Sequence, residues 1–548
     1  MLVLSIGVAM LPGVATLAEV VPGSVEPKHL EQRFQTPRPS GAQPPIMVPS
    51  TQGSALPSNA DAIRFRPTAI ELANVTAFSS DTLLPLYQEL LEREASLREI
   101  FALADRITAY YGQAGFVLSR AIVPPQTITE GRVRIQVVEG FIDQVLVEGD
   151  DHHRPRLFEY FIEKIKASRP LNARILERYL LLANELPGLR VESVMRPSND
   201  TSGAATLVLK VTNQPGNYVL NLDNRGTRPV GPRQTQTEFT TNSLFHTRER
   251  LSLGLAATPW DSGELFYRTL SQSHILNGEG IRLDISLSHS KSAPGADMQP
   301  MEIRTDSFSS GLLLAWPVLK RRDANLTFTG GLDLRDTRTT LLQTPFTHDR
   351  LRIVRIGAML DRTDALGGNS QLNITFSRGI ERLGAQVESR PAAKPTFTQV
   401  NYLVSRTQRI LDWLSVLVQW SAQHAFTPLP ASEQFGFGGE PFGRGFDPSE
   451  WTADNGAAQR IEMMIGPWEA MKGKPQLYLF RDHGALRWIF PDPDAPKEIS
   501  ASSKGGGVRL NLGGLGSLGL EWAKPQNSRA DPALDRNWRC FARASLSF

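Results

Sequence analysis

Residues 281–287 read IRLDISL, so every second side chain is aliphatic and those between are polar. Because successive side chains of a β-strand point to opposite faces, this alternation predicts a strand with one apolar face and one face in contact with water. About sixteen such segments lie between residues 214 and 548. The clearest others are residues 218–222, 251–255, 326–334, 372–376 and 414–420.

An open sheet of that many strands would leave two unpaired edge strands, which promote aggregation, and closure into a barrel removes both edges. The segments run about 9–13 residues, the length needed to cross a bilayer at a tilt, whereas soluble strands average about 5–6. We find no periodic motif of the kind a propeller would show. The chain ends in an alternating segment whose outer positions include Trp538, Leu546 and Phe548, and a terminal aromatic is typical of outer-membrane barrels. Residues 214–548 are therefore predicted to form a transmembrane antiparallel β-barrel of about 16 strands.

Composition excludes several other classes of protein. The chain has 548 residues, and 59 basic against 56 acidic side chains leave a net charge of +3, which does not suggest a nucleic-acid binder. The single cysteine, Cys540, rules out an internal disulfide framework and a Cys-rich zinc module. The longest internal apolar run, residues 311–319, is well short of the ~20 residues of a spanning helix.

The N-terminal region divides into three parts. Residues 1–18 are almost wholly apolar and predict a secretory signal, with a short buried helix as the alternative. Residues 19–34 have helix-forming character. Residues 35–62 are rich in proline and small polar residues and predict a mobile linker. Either a movable helical element or an unstructured leader fits this arrangement.

The pattern of apolar residues over 63–213 predicts two tandem α/β modules, at 63–140 and 141–213. Helical spacing of apolar residues over 81–112 predicts two helices, between a strand at 63–72 and strands opening at 115–117 and at 132–138. A strand at 142–148 completes this β-α-α-β-β pattern and leads into a second one. The 18 basic and 19 acidic residues between 63 and 213 leave no polybasic face. Ligand recognition here would use shape or strand pairing, and the alternative is a rigid spacer.

Three stretches resemble one family, the two-partner secretion (TpsB-type) outer-membrane transporters, also called haemolysin secretion/activation proteins (ShlB/FhaC-like). Residues 115–140, GFVLSRAIVPPQTITEGRVRIQVVEG, resemble the family's first POTRA module. Residues 442–446, FGRGF, are similar to the tip of its long sixth extracellular loop, although Gly443 stands where relatives often have an aliphatic residue. Residues 480–484, FRDHG, are similar to its late-strand Phe-x-Asp-x-Gly. The module positions that carry the match are Gly115, Phe116, Ser119, Arg120, Pro124, Pro125, Gln126, Gly131, Val138, Glu139 and Gly140.

A guanidinium inside a barrel needs a carboxylate partner to offset its desolvation. We therefore expect a contact between Arg444 and Asp482 that fixes the loop in the lumen, and exchanging the two charges should restore what either single change abolishes. From the residues alone, Arg444 could equally be an exposed loop cation. The resemblance favours the contact and adds the loop and strand positions Gly445, Phe446, Phe480 and Gly484 to the candidate site.

The resemblance implies a protein of the Gram-negative outer membrane with its POTRA modules in the periplasm. It would secrete, with or without activating it, one cognate large exoprotein of the adhesin or haemolysin type. The modules would bind the unfolded cargo, and the N-terminal helix would plug the resting barrel. Its other partners would be outer-membrane lipid, lipopolysaccharide and, during insertion, the barrel-assembly machinery, with the transporter itself a monomer.

Alternatives from other classes are a barrel assembly factor or insertase, a passive porin and an enzyme on the same scaffold. We expect no catalytic residues, cofactor, metal or nucleic acid. Residues 514–519 match G-x-G-x-x-G, but they join two predicted strands with no helix to hold a phosphate. His152 and His153 have no third ligand at metal spacing nearby in the sequence.

Overall fold

The computed structural model describes residues 23, 26–34, 56–149, 156–201, 203–244, 249–260, 264–490, 497–528 and 536–548. The predicted signal at 1–18, most of the predicted linker and the pair His152 and His153 lie outside these ranges. Helix α1 (Pro27–Phe34) falls within the predicted N-terminal helix.

The first module is a small α/β unit whose three-stranded sheet has the order β2-β5-β4, with β2 parallel and β4 antiparallel to β5. A capping box of Ser96 and Glu99 begins its long helix, α3. The core between α3 and the sheet includes Ile100, Leu103, Ile107, Tyr111, Val133 and Ile135. The elements are β1 (Arg64–Phe65), β2 (Ala69–Ala73), α2 (Ser80–Leu83), β3 (Ala95–Ser96), α3 (Leu97–Gln113), β4 (Arg120–Ile122) and β5 (Arg132–Val138).

Three local predictions for this module are wrong. In place of a first full helix there is only the four-residue α2 and two 3-10 turns, because Pro85 lacks the N–H that would continue α2. The strand predicted over 63–72 is split into β1 and β2, with Pro67 between them. The strand predicted to open at 115–117 starts at Arg120, since Gly115 (φ +97°) turns the chain after α3.

The second module has the order β-α-α-β-β. Its sheet runs β6-β8-β7, with β6 parallel and β7 antiparallel to β8. The prediction that the strand near 142–148 also completes the first module is wrong, because among the described strands β6 pairs with β8 alone. A local pattern identifies a strand but not its partner. The elements are β6 (Phe141–Gly149), α4 (Arg156–Ala167), α5 (Ala173–Glu185), β7 (Leu189–Pro197) and β8 (Ala204–Asn213).

The rest of the described chain forms a closed barrel of sixteen antiparallel strands, which confirms the predicted fold class. Its first and last strands close it through five register pairs, from Arg543↔Asp223 to Ser547↔Val219. The strands are β9 (Gly216–Asp223), β10 (Gln234–Asn242), β11 (Arg250–Ala257), β12 (Leu265–Ile275), β13 (Arg282–Ser292), β14 (Arg304–Lys320), β15 (Ala324–Leu341), β16 (Thr344–Thr363), β17 (Gly368–Gly379), β18 (Thr398–Leu411), β19 (Leu414–Ala425), β22 (Asn455–Ile465), β23 (Gln476–Arg487), β24 (Glu498–Asn511), β25 (Gly516–Ser528) and β26 (Arg539–Ser547). Two short strands, β20 (Phe435–Phe437) and β21 (Trp451–Ala453), pair with each other between β19 and β22.

Strands β14, β15 and β16, with 17, 18 and 20 residues, exceed the predicted length of about 9–13. On the outer face of β14, Leu312, Leu314 and Trp316 are each about half exposed, as lipid-facing side chains are, while Asp306 continues the same face beyond them. The strands are therefore longer than their apolar band. Among the described residues, no helix is long and apolar enough to cross a bilayer.

The second module docks on the end of the barrel where β9 begins. In the turn between β12 and β13, the Glu279 carboxylate lies 3.0 Å from Arg178 and accepts hydrogen bonds from the hydroxyls of Tyr160 (3.2 Å) and Tyr179 (3.3 Å). Burial, followed by the charge of Glu279, raises the pKa of Tyr179 to about 12, so this hydroxyl stays a donor. The modules thus mark the near end of the barrel, and the opposite rim is the far end.

Candidate functional site

The chain between β19 and β22, residues 426–454, folds into the barrel interior and is called here the lumenal loop. Its short hairpin of β20 and β21 lies against the inner wall, where Phe437 and Phe446 are fully buried. Trp451 packs edge-on to Phe446, with ring centroids 4.9 Å apart. Aromatic packing therefore anchors the loop on both sides of its tip.

Arg444, at the tip, is 1% exposed and contacts carboxylates from three wall strands. Its Nε and Nη2 donate to the two oxygens of Asp482 on β23, at 3.1 and 3.0 Å. Its Nη1 donates to Glu462 on β22 at 2.8 Å and to Glu521 on β25 at 3.4 Å. The backbone N–H of Arg444 also donates to Asp482, at 3.0 Å.

From sequence, Asp482 is the one predicted carboxylate partner of Arg444; Glu462 and Glu521 are not predicted. Both lie on strands of the barrel, β22 and β25. The alternation of apolar and acidic residues at 461–463 and 520–522 could have identified them as lumenal acids. Sequence gives no indication, however, that β22, β23 and β25 come together around one guanidinium.

Further cations balance these carboxylates. Glu462 also contacts Arg460 at 2.5 Å and Arg509 at 2.7 Å, while Glu521 contacts Arg225 at 2.7 Å. Four guanidinium groups and three carboxylates thus form one network, which is buried at its centre around Arg444, Glu462 and Asp482. Removal of a central member leaves buried charge without a partner, which costs much more than the loss of an exposed ion pair.

The other predicted loop and strand residues surround this network. The ring of Phe480 lies beneath the Arg444 guanidinium, with its centroid 3.3 Å from Cζ, a cation–π arrangement. A Cβ on Gly484 would come within 2.3 Å of the Phe437 ring, and one on Gly445 within 2.8 Å of the backbone N of Pro525. Both glycines therefore permit close approach between the loop and the wall.

Helix α1 also lies in the lumen, and its polar contacts are spread over several elements. Lys28 Nζ is 2.6 Å from Glu433 of the lumenal loop, Glu31 is 2.8 Å from Arg335 of β15, and Arg33 donates to Gln234 at 2.8 Å. Phe34 stacks on Tyr267 of β12, with ring centroids 5.7 Å apart. Glu433 is held independently of α1, by Arg355 at 3.0 Å and Gln399 at 2.7 Å.

In the first module, several predicted motif residues hold the joint between the modules. The carbonyl oxygens of Gly115 and Gly140 accept hydrogen bonds from Ala173 and Leu171 of the second module, both at 2.8 Å. The Ser119 hydroxyl accepts one from the Gly140 N–H at 3.2 Å. Phe116 packs edge-on to Phe78, Arg120 begins β4 and Val138 ends β5, while Pro124 and Pro125 follow β4.

Glu139 and Gln126 make hydrogen bonds with backbone groups of the first module. The Glu139 carboxylate accepts hydrogen bonds from the N–H groups of Thr76 and Ala77 and the hydroxyl of Tyr111, all at 2.8 Å. Burial alone would raise the pKa of Glu139, but the donors outweigh it and hold the pKa below its ordinary value. Gln126 bonds the N–H and C=O of Arg134, as a neighbouring strand would.

The predicted C-terminal signal residues do not touch the Arg444 network. Phe548 and Tyr218 exchange backbone hydrogen bonds of 2.9 and 3.0 Å beside the closing seam, and Leu546 lies opposite Leu220 in the register of β26 and β9. Trp538 is exposed just before β26 begins. In the part of the chain that the structure describes, no cluster of three or more His, Cys, Asp or Glu side chains could hold a metal ion.

The fold and this site define a class of protein, an outer-membrane transporter whose lumen holds its own helix and loop and whose near end carries α/β modules. The sequence profile of a family described as haemolysin secretion/activation protein ShlB/FhaC/HecB matches residues 203–508, more than half of the chain. The profile of the ShlB-type POTRA domain matches residues 65–140. The chain belongs to the haemolysin secretion/activation protein family.

Individual relatives agree with this assignment. The heme/hemopexin transporter protein HuxB of Haemophilus influenzae is 20% identical over 557 residues, covering 96% of this chain and 95% of that protein. The outer membrane transporter CdiB of Escherichia coli is 24% identical over 474 residues, covering 83% and 77%. The solved structure of CdiB from Escherichia coli superposes with a TM-score of 0.74 at 19% identity, over 96% of this chain and 99% of that one, which shows a shared fold.

These findings confirm the family resemblance predicted from sequence. The protein is an outer-membrane two-partner secretion transporter with its POTRA modules in the periplasm, and such transporters act with a cognate secreted exoprotein. The near end of the barrel therefore faces the periplasm and the far end faces the cell exterior.

Proposed function

We propose that the cargo is a large exoprotein of the adhesin or haemolysin type, which passes unfolded through the lumen after α1 has left it. The observation that carries this proposal is the way α1 is seated. Its ion pairs, from Lys28 to Glu433 and from Glu31 to Arg335, go to separate elements, and Glu433 keeps two other partners when Lys28 is withdrawn. Helix α1 can therefore leave without stranding that buried carboxylate.

The Arg444 network, in contrast, would stay in place during transport and hold the lumenal loop against one side of the wall. Its carboxylates come from β22, β23 and β25, so the loop and this part of the wall would act as one rigid unit. Cargo would then pass through the space that α1 vacates. In this proposal Arg444, Gly445, Phe446, Phe480, Asp482 and Gly484 are loop-fixing residues, and the transporter makes and breaks no covalent bond.

Cargo capture is assigned to the POTRA modules. Each module has a three-stranded sheet with edge strands, β2 and β4 in the first and β6 and β7 in the second, on which an extended segment can add as a strand. A groove beside a helix would serve the same purpose. The docking of Glu279 against Arg178, Tyr160 and Tyr179 would keep the second module aligned with the barrel entrance.

Co-expression with a candidate exoprotein in a Gram-negative host tests this function. Cargo in the medium is compared for the intact protein and for a deletion of residues 63–213, with barrel folding checked on unheated gels. We expect export only from the intact protein. If a folded barrel exports nothing while other outer-membrane proteins decline when the native gene is deleted, an assembly factor is the better account. Solute flux that does not depend on any protein partner would favour a passive porin.

The alignment of the second module is tested in the full chain by Glu279→Gln, with Glu192→Gln on β7 as the matched control. Glu192 lies on the module surface, where it makes a 3.5 Å contact with the exposed Arg190. The proposal predicts that Glu279→Gln slows export and that Glu192→Gln does not. Equal export by both variants would remove Glu279 from the scheme without affecting the role of α1.

A further inference from the structure

Four polar side chains lie together on the outer face of the barrel, near the far ends of β12, β13 and β14. Arg268 and His289 are directly opposite each other in the register of β12 and β13, and Lys291 is opposite Asp306 in the register of β13 and β14. These four residues are called here the rim site. They share the outer face with Leu253, Leu270, Leu287 and Phe308, which are each at least 40% exposed.

Two groups of the rim site lack partners within the described part of the chain. Asp306 cannot serve as their partner, because one of its oxygens already lies 3.0 Å from His289 Nε2 and the other lies 3.5 Å from Lys291 Nζ. His289 Nδ1 is buried and makes no hydrogen bond. Arg268, on the outer face, has no hydrogen bond or ion pair with any described residue. With Lys291 sharing the single carboxylate, the site has an excess of positive charge.

The rim site borders a groove of about 340 Å³. Asp306 of the rim site, the polar residues Thr269 and Ser288, and apolar side chains of the outer face also line it. Arg268 and His289 stand at the groove together with Leu253, Leu270, Leu287 and Phe308. A cationic end beside an aliphatic channel, open toward lipid, matches a molecule that has an anionic head and a hydrocarbon chain.

We propose that the rim site binds a phosphate-bearing lipid of the outer leaflet. The planar guanidinium of Arg268 donates hydrogen bonds to the phosphate, and Lys291 adds a second positive charge nearby. The acyl chain lies along Leu253, Leu270 and Leu287. An arginine facing hydrocarbon without an anion is unfavourable, and a lipid phosphate supplies that anion. The site lies at the end of the barrel opposite the periplasmic modules, which selects the outer leaflet.

The test uses full-length protein in detergent, with lipid occupancy measured by native mass spectrometry during titration. The probes are lipopolysaccharide, the same lipid after removal of its phosphates, and inorganic phosphate as competitor. The variant is Arg268→Gln. The matched control is Arg378→Gln, because Arg378 is also an exposed outward arginine at the far end of its strand but bonds Thr398 at 3.2 Å and lies away from the groove. Mobility on unheated gels shows that each variant is folded.

We expect the intact protein to prefer the phosphorylated lipid by about tenfold or more, the gain of a charge-assisted contact of this kind. Arg268→Gln should lose that preference and Arg378→Gln should keep it. Equal affinity for both lipids, or an unchanged preference in Arg268→Gln, would overturn the proposal. Displacement of the lipid by an equal concentration of inorganic phosphate would also overturn it, since the groove would then contribute nothing.

Discussion

The lumenal loop and helix α1 both lie inside the barrel and both use ion pairs, yet they are held in different ways. At the loop tip one buried guanidinium joins three carboxylates from neighbouring strands and is also supported by the Phe480 ring. Along α1, each charged residue reaches a different element. A shared, desolvated network resists piecemeal opening, whereas separate contacts break one at a time. The comparison therefore supports the proposal that the lumenal loop is fixed and that α1 can be withdrawn.

The largest effect is expected for Arg444→Gln. The change leaves the buried carboxylate of Asp482 without its guanidinium partner and should lower the free energy of unfolding by about 3–5 kcal/mol. Urea titration of the purified barrel measures this, with Arg378→Gln as the control. A loss no greater than that of the control would mean that water or other cations satisfy the network.

Exchange of the two charges in Arg444→Asp with Asp482→Arg should not restore export. A single ion pair between Arg444 and Asp482, as predicted from sequence, would allow restoration. In the folded protein an aspartate at position 444 would instead face Glu462 and Glu521, so like charges would meet in a buried site. Cargo export by the double variant, compared with both singles, checks this. Full restoration would show that the Asp482 contact alone matters.

A smaller effect is expected for Gly484→Ala. The new methyl group would overlap the Phe437 ring, and the displacement should cost about 1–3 kcal/mol of unfolding free energy. Gly514→Ala is the control, because a Cβ there meets nothing within 4 Å. Similar urea midpoints for the two variants would show that Phe437 moves aside freely and that the loop is not fixed there.

Removal of a contact of α1 should affect gating more than stability. Lys28→Gln leaves Glu433 paired with Arg355, so the cost should be about 1 kcal/mol, which changes the equilibrium between seated and withdrawn helix about fivefold. Single-channel recording should show openings more often, while the urea midpoint stays close to that of the unchanged protein. A large stability loss without extra openings would make α1 a structural element.

The smallest effect on stability is expected outside the lumen, at Glu139. Its carboxylate accepts hydrogen bonds from backbone N–H groups and hydroxyls and has no cationic partner among the described residues. Glu139→Gln should destabilise the first module by about 1 kcal/mol, since the side chain is only partly buried and Gln can keep some of its hydrogen bonds. Because folding lowers the pKa of Glu139, its contribution is present at neutral pH and is lost as pH falls below about its ordinary value of 4.5. Hydrogen exchange of α3 against pH measures both effects, with Glu71→Gln on β2 as control.

Sequence predicted the parts of this molecule that depend on local periodicity or on a single distinctive motif. Alternation at residues 281–287 and in its counterparts was sufficient for a closed barrel of sixteen strands. It could not assign β6 to its sheet, because the residues that make a strand do not specify its neighbour. Glu462 and Glu521 were missed for a related reason, since inward-facing acids are frequent and only the closed barrel shows which of them meet Arg444.

The central claim, that α1 is removable while the lumenal loop is fixed, is tested most directly by a reversible tether. A Cβ on Gly23, just before α1, would lie 2.2 Å from Thr452 Cγ2, so Gly23→Cys with Thr452→Cys in a Cys540→Ser background brings two sulfurs within bonding range. Single-channel conductance of the full-length variant is recorded before and after addition of a reductant. The account predicts that the oxidised protein stays closed and that reduction restores openings. Equal openings in both states would contradict it.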